Sequence, residues 1–411
     1  MATSDETSVR KAGPFMPAPD AGAIAPVQSM ARRAEADAVR TSPRVKARDP
    51  VAVAGHRLDP ERRRGRGATL NPDARFDGIS RVEDDDGWGS LGTLPPFRTE
   101  VALEKARTII TRNQSPDISF DRSVNPYRGC EHGCVYCYAR PSHAYLGLSP
   151  GLDFESRLSA KPDAAALLEK ELSASGYAPR MLAIGTNTDA YQPIEKKLRL
   201  MRGLLEVLGR FRHPVGIVTK SALIQRDIDL LAPMAAEGLA KVAISVTTLD
   251  GGLARTMEPR AASPARRLET IRRLSDAGIP VTVLVAPIIP AVNDAEIERI
   301  LDAAYANGAR EAGYVLLRLP LEVKDLVSDW LLTHYPDKLR HVMSLVQSTR
   351  GGKDYDPAWG QRQVGTGPYA WMIGRRFELA AERTGFNRTR QKLRTDLFRR
   401  ASSNPAQLSL L

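Results

Sequence analysis

Residues 128–140 read RGCEHGCVYCYAR, and Cys130, Cys134 and Cys137 within them are the three cysteines of the 411-residue chain. Chance would scatter three thiols along the sequence. Crowding them into one short run implies that they bind one thing together. Three thiolates at this spacing can converge on a single metal centre from one tight loop. One coordination position then receives no sulfur from the chain.

The loop follows directly on a strand-like run, SFDRSVN at 119–125, and five more such runs follow at 181–186, 215–220, 241–248, 281–289 and 313–319. Amphipathic helical runs lie between them, among them 162–175, 264–278 and 294–308. Near-continuous apolar strands joined by helices predict a parallel sheet covered on both faces. Six such units predict an α/β fold, a partial (β/α)6 TIM-type barrel with parallel strands. In such folds the working groups sit at the C-terminal ends of the strands. The cysteine loop follows the first strand and TNTDAYQP follows the second. Lys220 ends the third, Ser245 sits late in the fourth and Arg318 late in the sixth. All should point toward one mouth.

The organisation outside this body is read from composition. Residues 1–70 are rich in Ala, Pro, Arg and Asp without apolar periodicity, which predicts a disordered basic tail. Residues 71–115, with Trp88 and Pro95–Pro96, read as an N-terminal wrap. The barrel is expected over 116–350, and 351–411 as a closing loop followed by a basic helical extension over 375–400. The net charge is +11, yet the central body is neutral. Residues 1–70 hold 13 Lys/Arg against 8 Asp/Glu, and residues 375–400 hold 9 against 3. Basic ends either touch nucleic acid or act as solubilising tails. No apolar run of about 18 residues suggests a membrane span. Asp5, Glu6 and Arg10 interrupt any signal-peptide pattern. With no cysteines elsewhere to form a disulfide framework, a reducing, cytoplasmic setting is expected.

A [4Fe–4S] cube held by three thiolates keeps one iron open to a small molecule with a chelating amine and carboxylate. A Cys3His zinc site completed by His132 or His143 is the competing metal reading. A plain electron-transfer cluster would want a fourth cysteine, and there is none.

The run Cys130-Glu-His-Gly-Cys134-Val-Tyr136-Cys137 resembles the CxxxCxφC signature of the radical SAM superfamily, with Tyr136 as the aromatic φ. Its surroundings, NPYRGCEHGCVYCYARPSHAYLGLSPGLDFESRL, resemble the branch related to spore photoproduct lyase. So do TNTDAYQPIEKK, VTKSALIQRDIDLL, MEPRAASPARRL and LRLP further on. The resemblance covers about residues 115–375. It implies that Cys130, Cys134 and Cys137 hold a [4Fe–4S] cluster and that S-adenosylmethionine chelates the open iron. Reductive cleavage would give methionine and a 5′-deoxyadenosyl radical, fed by a donor such as flavodoxin or ferredoxin. It also implies that Tyr136 lies against the adenine, that Lys220 meets the methionine carboxylate and that Ser245 meets a ribose hydroxyl. The GGE-type amine-binding triplet of many members is absent; Thr186, Asn187 and Asp189 stand in that place.

Arg318 interrupts an apolar run, where a charge is costly unless it is paired or faces a polar cavity. A cavity facing substrate or the cofactor carboxylate is one reading, and a salt bridge to a neighbour such as Asp189 or Glu258 is the other. Photoproduct lyases return hydrogen through a cysteine that this chain lacks, and Tyr138, Tyr145 or Tyr191 could stand in. Asp153 and Glu155 in GLDFESRL, read as extended, share a face and either handle protons or anchor arginines. Three classes remain open on sequence. One is a radical enzyme on nucleic acid or another large anion, including a photoproduct-lyase-like repair enzyme. A second is a radical enzyme on a small molecule or peptide. The third is a non-enzymatic zinc or iron–sulfur module associated with nucleic acid.

Overall fold

The computed structural model describes residues 56–76 and 96–400. Six parallel strands pair in sequence order: β1 (Arg122–Val124), β2 (Leu182–Ile184), β3 (Val215–Thr219), β4 (Ala240–Ser245), β5 (Val281–Ile288) and β6 (Glu311–Leu316). A seventh strand, Ile110–Arg112, pairs antiparallel with β1 and ends that side of the sheet. β6 forms the other edge, so the hydrogen-bonded sheet does not close on itself.

β3 and β5 form where apolar runs rich in β-branched residues occur. In β3, Val215, Ile217 and Thr219 are buried alternately. The helix Leu200–Arg210 buries Met201, Leu204, Leu205 and Leu208, the spacing of an apolar stripe laid on the sheet. The helix Pro264–Asp276 begins at a proline whose φ is already helical. Gly278 beyond it and Gly308 beyond the helix Ile297–Ala306 take φ of +75° and +101°, which lets the chain turn back into the next strand.

The loop between the helices Leu339–Ser348 and Gly367–Thr384 crosses from one sheet edge to the other. Leu316 N–H donates to the Gln363 carbonyl at 2.8 Å. Arg362 donates through Nε and Nη2 to both oxygens of Asp117, at 2.6 and 2.5 Å, in the turn before β1.

Several expectations need correction. Residues 56–70, expected within the disordered tail, are folded: His56–Arg57 pairs antiparallel with Leu70–Asn71, and Arg66, Ala68 and Leu70 are buried. Their arginines and glycines are used in specific contacts described below, which composition cannot reveal. Residues 1–55 and Trp88 lie outside the described residues. The basic helix starts earlier than expected, at Gly367, and stops at Thr384. Gly385 then turns left-handed at φ +91°, and residues 388–400 form no helix. β6 ends at Leu316, so Arg318 lies beyond the strand rather than within it. Asp153–Ser156 is one helical turn, so Asp153 and Glu155 do not share an extended face. Among the described residues no helix is long and apolar enough to cross a membrane.

Candidate active site

The cysteine loop leaves β1 through Tyr127–Arg128, which pairs with Arg157–Ala160. Gly129 and Gly133 both take left-handed φ, +74° and +67°. A Cβ on Gly129 would come within 2.6 Å of Leu158, and one on Gly133 within 2.7 Å of Glu155 Oε2. Only glycine fits either place, and this is what coils the cysteines inward. Cys130 and Cys134 are buried, and Cys137 is half-buried and packs against the apolar clusters that contain each of the other two. Burial, then Asp189 and the other two thiols, pushes Cys130 well above the usual thiol range. Burial raises Cys134 as well, against the pull of Lys220.

With the side chains so placed, no three His, Cys, Asp or Glu among the described residues form a finished metal cage. The three thiols are grouped but not closed on a common point. The donor chemistry fits an iron–sulfur cube, which brings its own sulfide framework to three soft ligands. It fits zinc less well. Among the described residues no histidine joins the thiols in a closed group, the fourth ligand that zinc would need; His132 Nδ1 lies 3.3 Å from Asp189 and His143 Nε2 lies 2.9 Å from the Arg157 carbonyl, which engages one ring nitrogen of each.

Gln192 holds the first cysteine from both sides. Its Oε1 accepts from Glu131 N–H at 2.8 Å and its Nε2 donates to the Gly129 carbonyl at 3.2 Å. Gln192 is fully buried, and sequence reasoning missed it. The only signal was its place in the polar run after the second strand.

Just before that run stands Gly185, where a Cβ would meet the Val218 carbonyl oxygen at 2.0 Å. The Thr186 carbonyl accepts from the Tyr138 hydroxyl. Asn187 is exposed, with its N–H 3.4 Å from Asn125 Oδ1. Asp189 is turned inward: it accepts from Thr219 Oγ1 at 2.8 Å, Tyr191 N–H at 2.9 Å and Lys220 N–H at 2.8 Å. Burial opposes its charge, but His132 and these hydrogen bonds outweigh it and hold the carboxyl down at about 2. Asp189 therefore ties the β2 and β3 ends to the cysteine loop with both oxygens.

Lys220 Nζ stands 5.8 Å from the centre of the Tyr136 ring. The Tyr136 hydroxyl donates to Glu258, which also accepts from Thr247 at 2.7 Å and pairs with Arg267. Arg267 and Glu258 are both buried, and Arg267 reaches the Ser245 carbonyl at 3.1 Å. Glu258 is thus taken by Arg267, and Asp189 by its own donors. Neither carboxylate named for the salt-bridge reading is paired with Arg318.

Arg318 instead lies with its guanidinium 4.8 Å from the Tyr138 ring centre, and donates to the Tyr355 hydroxyl at 3.2 Å. Its Nε is buried without a partner. Tyr138 follows Cys137 directly. Arg318 and Tyr138 are therefore together beside the cysteine loop. Tyr145 is exposed on the surface, and Tyr191 donates to Asp227 in a buried network, so neither shares that place.

The family profile described as the radical SAM superfamily matches residues 124–304. An uncharacterized protein of Mycobacterium tuberculosis is 35% identical over 230 residues, covering 56% of this chain and 68% of the relative. One from Methanocaldococcus jannaschii is 28% identical over 199 residues, covering 48% and 71%. Among solved structures, a spore photoproduct lyase mutant aligns with a TM-score of 0.41 at 17% identity, covering 57% of this chain and 66% of that one.

Proposed function

Because the chain belongs to the radical SAM superfamily, whose members use a [4Fe–4S] cluster and S-adenosylmethionine, we propose that it generates a 5′-deoxyadenosyl radical and directs it at a substrate beside Arg318 and Tyr138. The observation that carries this is the buried three-cysteine loop at the end of the first strand of a parallel sheet, held by Gln192 and Asp189. We read the sheet as a partial (β/α)6 barrel over residues 116–350.

Cys130, Cys134 and Cys137 would hold three irons as thiolates. When bound, the cluster supplies one electron to the sulfonium, so that a C–S bond breaks to methionine and the adenosyl radical. Lys220 neutralises the methionine carboxylate. Thr186 and Asn187 offer acceptors to its amine, with Asp189 holding that segment in place. Ser245 bonds a ribose hydroxyl, and Tyr136, fixed through Glu258, borders the adenine. Arg318 carries a charge with one unpartnered nitrogen at the edge of this space, which suits a substrate bearing an anionic group. Tyr138 returns a hydrogen atom to the substrate radical, and its phenoxyl regains the phenol by taking one electron from the redox-protein donor and one proton from solvent. The electron donor is a small redox protein such as flavodoxin or ferredoxin, in a cytoplasmic, reducing setting.

Anaerobic reconstitution with iron and sulfide, followed by S-adenosylmethionine and a strong reductant, tests the reaction class. Release of 5′-deoxyadenosine is expected even without substrate. Protein that is folded, iron-loaded and still inert toward S-adenosylmethionine would overturn the assignment.

A further inference from the structure

Next to the cysteine loop lies a buried carboxylate that the proposed chemistry does not use. Glu155 is 0% exposed. Its Oε2 accepts from Gly67 N–H at 2.8 Å, and its Oε1 from Ala68 N–H at 2.8 Å and Arg140 Nη2 at 2.5 Å. Arg140 continues to the Cys134 carbonyl at 2.9 Å through Nε, and to Gly151 at 2.7 Å through Nη1. Arg66 donates to the Glu155 backbone carbonyl at 2.8 Å and to Thr99 Oγ1 at 3.0 Å, and Thr99 donates to Glu131 at 2.7 Å. One carboxylate therefore joins residues 66–68 to the loop that carries the cysteines. The two segments also touch without slack: a Cβ on Gly67 would lie 1.8 Å from the carbonyl oxygen of Gly133, between the first two cysteines.

We propose that Glu155 is a positioning residue that makes the segment 66–70 a working part of the cysteine loop, so that displacing this segment loosens the three thiols. Each side supplies what the other lacks. The segment's N–H groups would be buried donors without an acceptor, and the carboxylate would be a buried charge with Arg140 alone. The consequence for iron binding rests on the function proposed above; the coupling within the protein does not.

All three cysteines of the chain lie in this loop, so a thiol reagent applied to the metal-free native protein reads the loop alone. Gly67→Ala pushes the segment off Gly133. Glu155→Gln turns an amide N–H2 toward N–H donors it cannot satisfy. Both should be labelled about tenfold faster than wild type or more, because local opening rather than global unfolding then exposes the thiols. Phe398→Ala, at the far end of the strands, serves as the control and should lower the melting temperature while labelling at the wild-type rate. If Glu155→Gln does not fold, Gly67→Ala decides. A folded Gly67→Ala that labels like wild type would overturn the proposal. So would a Phe398→Ala that labels as fast as Gly67→Ala, since reactivity would then merely follow overall stability. After reconstitution, Gly67→Ala should hold less iron and sulfide per chain than wild type. Wild-type protein that takes up no iron would defeat the proposed function yet leave the labelling result standing.

Discussion

The two arginine-rich ends of the chain look alike in composition and do opposite work. Residues 56–71 lie against the mouth, where Arg66 is buried and its guanidinium is bonded to Glu155, Phe97 and Thr99. Residues 387–400 lace the opposite end, where the strands begin. Asn387 pairs through its side chain with both the N–H and the carbonyl of Ala312, at 3.0 and 3.1 Å. Arg394 N–H reaches Gly238 at 2.9 Å and Arg399 N–H reaches Phe211 at 2.9 Å. There the backbone is docked, and the Arg394 guanidinium turns out to Asp396. An arginine thus stabilises a fold through either its head or its main chain, and a count of arginines cannot tell which.

If the mouth is the chemical end and the opposite end is purely structural, damage to each should be read by different instruments. The largest effect is expected at the mouth. Cys134→Ala should abolish iron and sulfide retention outright while the melting temperature moves by only a few degrees, since the loop lies outside the strands. Retention of a full cluster in elemental analysis would break the contrast.

At the other end, the largest effect should come from pH. His213 is fully buried, with Nε2 2.8 Å from the Tyr177 hydroxyl and Nδ1 3.0 Å from the Pro214 carbonyl. Burial, with Arg122 adding to it, lowers its pKa from 6.5 to about 4 against the opposing pull of the Pro214 carbonyl. The unfolded chain therefore binds the proton first. This contribution to stability is complete above about pH 6.5 and is lost as pH falls toward 4, at most roughly 3 kcal/mol in all. Denaturant titrations across that window should show the slope in wild type and a flatter profile in His213→Gln. Superimposable profiles would reject it. Phe398→Ala should follow with about 1–2 kcal/mol, since its half-buried ring packs on Phe211, His213 and Tyr177. It should leave 5′-deoxyadenosine release per folded molecule unchanged.

The sequence disclosed what short-range pattern can carry. The six strands and the cysteine loop are local signals, and each was legible within a window of about ten residues. The helix Gly367–Thr384 was partly hidden because its first turns fall within the stretch read as a closing loop, although Pro368 within its first turn is compatible with a helix start. Glu155 and Gly67 were illegible as partners, since 88 residues separate them and no periodicity links them. Asp189 sat at the expected place, but sequence does not say which way a carboxylate turns. Gln192 stands in the run after the second strand, but its role was illegible, because an amide that bonds two main-chain groups leaves no spacing rule behind it.

The smallest predicted effect separates the two ends most finely. Arg383 pairs with Asp302 at 2.7 Å, with the side chains 58% and 48% exposed. In water two such long side chains gain little by meeting, and salt screens what they gain. Arg383→Ala should therefore cost less than about 0.5 kcal/mol by denaturant titration, and raising the ionic strength should erase even that. Arg66→Ala, by contrast, leaves the buried carbonyl of Glu155 and the part-buried one of Phe97 without their donors and should cost several times more. Equal losses from the two substitutions would mean that the basic C-terminal surface carries weight of its own. The contrast between a docked guanidinium at the mouth and a solvated one at the far end would then fail.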